Sequence, residues 1–161
     1  MRDWDDERCC EHDQVLSSER RAMRRRRRQA YRGDSWVYPF QVFQDPVTGV
    51  LLTSDAPNFA PPGCIPFNLT GAKVTLTIKR HVTDGDTQAL AQVSTVTTGL
   101  TVTNLVSGQC VATTPPTTFN GFPDEPEPVV YDVQVVTAAG QVATCERGDL
   151  LVVPDVTQAT S

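Results

Sequence analysis

The chain has 161 residues, 39% of them apolar, and a formal net charge of −5, enough for one domain with a modest core and an appendage. No apolar run approaches the ~18 residues of a membrane span. The start, MRDWDDERCCEHD, is acidic where a secretory signal is basic and then apolar, so no export signal is expected.

Charge is distributed unevenly. Residues 3–19 carry seven acids and one arginine, residues 20–32 carry eight arginines and no acid, and the chain from Gly33 onward has four bases against twelve acids. This describes an acidic domain bearing a dipolar, arginine-rich arm. Asp3 to Arg32 lacks proline and glycine and is rich in helix-favouring residues. Cys9, Leu16, Met23 and Ala30 recur every seven residues, a stripe too narrow for a self-sufficient coiled coil. The run Arg24 to Arg28 repels itself in a free helix. Residues 1–33 are therefore expected to be an arm that is helical when docked and frayed when alone, ended by Gly33.

The body, residues 34–161, is expected to be all-β. In Ser35 to Phe43, the residues Trp36, Tyr38, Phe40 and Val42 share one face, and Pro39 predicts an edge strand or a bulge. A turn at Asp45–Gly49 leads into Val50 to Thr53, followed by a proline-rich loop from Ser54 to Pro66. Ala72 to Arg80 is the best-patterned strand, with Val74, Leu76 and Ile78 inward. Ala89 to Val96, Leu100 to Leu105 and Cys110 to Thr113 follow, then a loop from Pro115 to Pro128 that ends in the acidic PDEPEP run. Tyr131 to Thr157 reads as a hairpin turning at Ala138–Gly140, a second turn at Arg147–Gly148 and a last short strand, Asp149 to Val153. Short strands at this spacing predict an antiparallel sandwich.

The chemistry-bearing residues form no catalytic pattern. Five cysteines, two of them adjacent, are not a disulfide framework and fit reduced thiols. Cys9, Cys10 and His12 lack the second ligand pair of a zinc site. His12 and His81 stand near no patterned nucleophile. Asp84 and Asp86 are explained by a hairpin turn, since the downstream ligands of a calcium loop are missing. No catalytic residue, metal or cofactor is expected.

The arginine run is the feature with a competing functional reading. Arg20, Arg21 and Arg24, Arg25, Arg26, Arg27 and Arg28 can pair with carboxylates of a neighbouring subunit, supported by apolar contacts from Val15, Leu16, Met23 and Tyr31. The same arginines can neutralise nucleic-acid phosphates, although no aromatics interleave for base stacking. Subunit docking is preferred because an acidic chain is repelled by a polyanion. A carbohydrate-binding module is a further reading, in which Trp4, Trp36 and Tyr38 stack on sugars.

Phe67 to Arg80 (FNLTGAKVTLTIKR), Thr97 to Val102 (TTGLTV) and Val130 to Thr157 (VYDVQVVTAAGQVATCERGDLLVVPDVT) together resemble the immunoglobulin-like domain at the N-terminus of tailed-phage baseplate upper proteins. The resemblance spans about ninety residues in order and implies an immunoglobulin-like β-sandwich. It implies a virion structural part of a tail, baseplate or head–tail connector, assembled in the host cytoplasm as a homo-oligomer with other virion subunits, and able to anchor a fibre. The charged arm is not part of that family's pattern, and the chain stops where those proteins continue into a coiled coil. An adaptor fits these departures better than a receptor-binding protein.

Overall fold

The computed structural model describes residues 27–55 and 60–155. Among the described residues ten strands run in chain order: β1 Arg27–Tyr31, β2 Val37–Gln44, β3 Leu51–Ser54, β4 Ile65–Pro66, β5 Lys73–Lys79, β6 Ala91–Ser94, β7 Leu100–Asn104, β8 Gln109–Thr113, β9 Glu127–Val136 and β10 Val142–Val153. They form two sheets. The first has the order β1-β10-β9-β5-β6, and the second β3-β2-β8-β7 with β4 paired to β2. The fold is an all-β sandwich, as the alternation predicted.

The inward phases of the strands make the core. Val74, Leu76 and Ile78 of β5 face Val129, Tyr131, Val133 and Val135 of β9, and all are buried. From the second sheet Tyr38, Phe40, Val42, Cys110 and Ala112 close over them. Pro39 is tolerated for a local reason. β3 pairs only with Gln41–Gln44, so at Pro39 β2 has a strand neighbour on the β8 side alone. The Pro115–Pro128 connection is more than a solvated loop. Its short 3₁₀ turn, Pro116–Phe119, buries Phe119, and Phe122 follows it into the core, their rings 5.8 Å apart.

Two expectations are corrected here. The segment Asp149–Val153 is not a separate strand after a turn at Arg147–Gly148. β10 is continuous, with a bulge between Thr144 and Glu146 where Cys145 is the extra residue. Gly148 marks a close approach instead of a turn, because a Cβ there would lie 2.6 Å from the Tyr131 ring.

The second correction concerns the arm. Arg27–Tyr31 is not helical. It is an edge strand that pairs parallel with Asp149–Val153 of β10, whereas the remaining strand pairs are antiparallel. Helix propensity loses to the open hydrogen-bonding edge of β10 and to a buried carboxylate that requires a cation. A division of the chain at Gly33 therefore cuts off a strand of the sandwich. Residues 1–26, the rest of the expected helical arm, lie outside the described residues.

Candidate functional site

The point where the arm enters the sandwich is also its most polar interior site. β1 places Arg28 and Ala30 on the inner face, opposite Leu150 and Val152, while Gln29 lies on the outer face. Ala30 is small enough to be buried at 3% exposure against β10. Arg28 reaches between the sheets. Its Nε donates to Tyr131 Oη at 2.8 Å, and its Nη2 donates to Tyr38 Oη at 3.0 Å. Nη2 also lies 3.2 Å from Asp55 Oδ2 and 3.5 Å from Glu146 Oε1. The guanidinium carbon sits 4.1 Å from the centre of the Tyr38 ring, a cation–π position.

Glu146 is the hub of this site. The bulge at Cys145 restores the phase that turns Glu146, Gly148, Leu150 and Val152 inward. Tyr38 donates to Oε2 at 2.6 Å, Tyr131 donates to Oε1 at 2.8 Å, and Thr53 Oγ1 also donates to Oε2. Tyr38 and Thr53 belong to the second sheet, and Arg28, Tyr131 and Glu146 to the first. One carboxylate thus ties both layers and five strands together.

Burial pushes the Glu146 carboxyl up. Hydrogen bonds from Thr53, Tyr38 and Tyr131, together with the Arg28 charge, outweigh it and leave the group below its ordinary range. Burial, reinforced by the Glu146 charge, pushes both tyrosine hydroxyls far up, so they act as donors. Burial alone would lower the Arg28 pKa, but its hydroxyl and carboxylate partners reverse the sign and raise it. The site is a receptor for a guanidinium in which Glu146 is ionised and both tyrosine hydroxyls keep their protons. Trp36 completes its wall, stacked 5.3 Å from Tyr38 and edge-on 5.5 Å from Tyr131.

The remaining expected site residues fall as follows. Tyr31 is half exposed at the end of β1. Arg28 is bonded between the sheets to Tyr131, Tyr38 and Glu146. Arg27 lies in β1, opposite Asp149. Arg20, Arg21, Arg24, Arg25, Arg26, Val15, Leu16 and Met23 lie outside the described residues, as does Trp4. Trp36 and Tyr38 are core residues at 8% and 2% exposure, so no sugar can stack on them. Glu146, Tyr131 and Thr53 were not singled out from the sequence. An acid on the inward phase of β10 was the available signal, obscured by reading Arg147–Gly148 as a turn.

Elsewhere, a groove of about 510 Å³ opens between the β6 and β8 ends of the sheets. Threonines 98, 113, 114, 117 and 118 line it with Ser35 and Gln92, and it contains no charged or aromatic side chain. The described cysteines are free thiols, with burial pushing Cys110 and Cys145 up to about 12. No group of metal-ligating side chains occurs among the described residues. No described helix is long and apolar enough to cross a membrane.

No protein-family model and no curated protein matches this chain. Among solved structures, it is similar to AggA, the major subunit of aggregative adherence fimbriae type I from Escherichia coli. That likeness has 13% identity, covers 80% of this chain and 89% of that one, and has a TM-score of 0.27. At such a TM-score it bears on neither fold family nor function.

Proposed function

We propose that this chain is a non-enzymatic structural component of a tailed-phage virion, an adaptor of the tail, baseplate or head–tail connector. In this reading the sandwich is the body, and the arginine-rich segment joins it to neighbouring subunits. The observation that carries the reading is the root of the arm. The residues after Arg26 form a strand of the sandwich, and Arg28 is bonded inside it. The basic segment is thereby tethered at its Arg27 end to a fixed point on the sheet edge, as an assembly arm requires.

The finer fold assignment, immunoglobulin-like, belongs to the same proposal. The order β10-β9-β5-β6 corresponds to strands G-F-C-C′ of such a sandwich, and β2-β8-β7 to B-E-D. β1 takes the place of a first strand laid parallel on the last. β3 departs from that scheme, because it follows β2 in the chain and yet occupies the edge beside it.

Removal of residues 1–26, with β1 kept, tests the proposal. The truncated chain should fold and yet be absent from purified particles, or fall at least tenfold in occupancy. Normal occupancy would contradict the role of the arm. Absence of the full-length chain from particles would contradict the virion reading altogether.

A further inference from the structure

We propose that β1 is an exchangeable strand, so that Arg27–Arg32 of one copy docks on β10 of a second copy, with Arg28 entering the second copy's Tyr38–Tyr131–Glu146 site. The proposal deepens the reading above and rests on its premise that several copies of the chain work together.

The bonding pattern around β1 separates cleanly into a docked element and a hinge. Arg28 bonds to Tyr38, Tyr131, Glu146 and Asp55. The Arg32 amide donates to Val153 O at 2.9 Å, and its guanidinium reaches Phe122 O at 2.8 Å and Asp124 at 2.6 Å. All these partners lie beyond residue 36 in the chain, so a second copy can supply every one of them unchanged. The hinge is Gly33–Asp34–Ser35, three consecutive exposed residues. Gly33 has φ +90°, and a Cβ added there meets nothing within 4 Å. One bond described for the segment closes the hinge on itself, from Asp34 N to Tyr31 O at 3.2 Å. On the far side Trp36 is fixed, exchanging bonds with Thr114 through its amide and its carbonyl.

Exchange between identical copies keeps these docking bonds, so the balance between home and away docking is set by the hinge and by local concentration. A ring of subunits supplies that concentration. The register is fixed in either case. A slip of two residues would bring Arg28 to the position of Ala30, an apolar position buried to 3% exposure opposite Val152. The receptor therefore accepts Arg28 and discriminates against its neighbours in the arginine run.

Gln29 and Leu151 are paired across β1 and β10, which gives a direct test. In a background with Cys9, Cys10 and Cys64 changed to serine, full chains carrying Gln29→Cys are mixed with full chains carrying Leu151→Cys in a thiol–disulfide buffer. Disulfide-linked heterodimers should accumulate as concentration rises, at least tenfold above a control mixture of Gln29→Cys with Thr101→Cys on the other sheet. Deletion of Asp34 and Ser35 should prevent home docking and convert the chain to dimers on size exclusion. Equal yields in the two mixtures would overturn the proposal, and so would a folded, monomeric hinge-deleted chain. Failure here leaves the virion reading standing on particle occupancy, and loss of that reading leaves this result unchanged.

Discussion

The two ends of the interface between the sheets are built on different principles. In the middle and towards Phe119, the layers meet through Val74, Leu76, Val133, Phe40, Val42 and Leu69, where any apolar side chain of suitable volume contributes by area and fit. At the β1 margin they meet through two carboxylates, three hydroxyls and a guanidinium, where each atom needs its own partner. Apolar packing supplies most of the cohesion. The polar margin supplies direction. It selects which strand lies on β10, in which register, and where the arm begins.

This contrast predicts unequal responses to substitution, the largest at the polar margin. Glu146→Ala removes the shared acceptor of three hydroxyls and one of the two carboxylates beside Arg28, and should cost about 3–5 kcal/mol in chemical denaturation. Arg28→Ala should cost nearly as much, and the double variant far less than the sum of the two. Additive losses would mean that the two charges do not share a site. Leu76→Ala in the apolar middle should cost about 2–5 kcal/mol through the cavity it leaves, without changing the pH dependence of stability. A smaller effect is expected for Tyr131→Phe, about 1–2 kcal/mol, because it removes one hydroxyl and leaves the ring in place over Gly148.

Protonation sharpens the same comparison. The folded pKa of Glu146 is depressed, so its contribution to stability is complete above the ordinary unfolded carboxylate value. It is lost as pH falls through the folded value. The wild-type chain should therefore lose stability on acidification below about pH 4.5. Glu146→Gln should show a flatter profile over the same range when unfolding midpoints are compared at successive pH values. Parallel profiles would remove Glu146 from the account.

Much of the body is legible in the sequence because strand alternation and burial coincide there. Val74, Leu76 and Ile78, like Trp36, Tyr38, Phe40 and Val42, are inward as their spacing predicts. The parts that escaped are those where tertiary partners override local preference. Arg27–Tyr31 favours a helix by composition and becomes a strand because β10 offers an edge and Glu146 needs a cation. Gly148 resembles a turn residue locally, and its actual role, to admit the Tyr131 ring, depends on a strand seventeen residues earlier. The cluster around Glu146 draws on residues 28, 38, 53, 131 and 146, and no short motif can express that spacing. A single trace of it remains in the sequence, an acid in phase with Gly148, Leu150 and Val152.

The central claim is that the body begins at Arg27 and that Arg28 belongs to its interior. Equilibrium unfolding of two truncated chains, one lacking residues 1–26 and the other lacking residues 1–33, tests it most directly. The first should match the full chain within about 0.5 kcal/mol. The second, deprived of β1 and with Glu146 left without its cation, should lose about 3 kcal/mol or more. Equal stability of the two truncated chains would contradict the account.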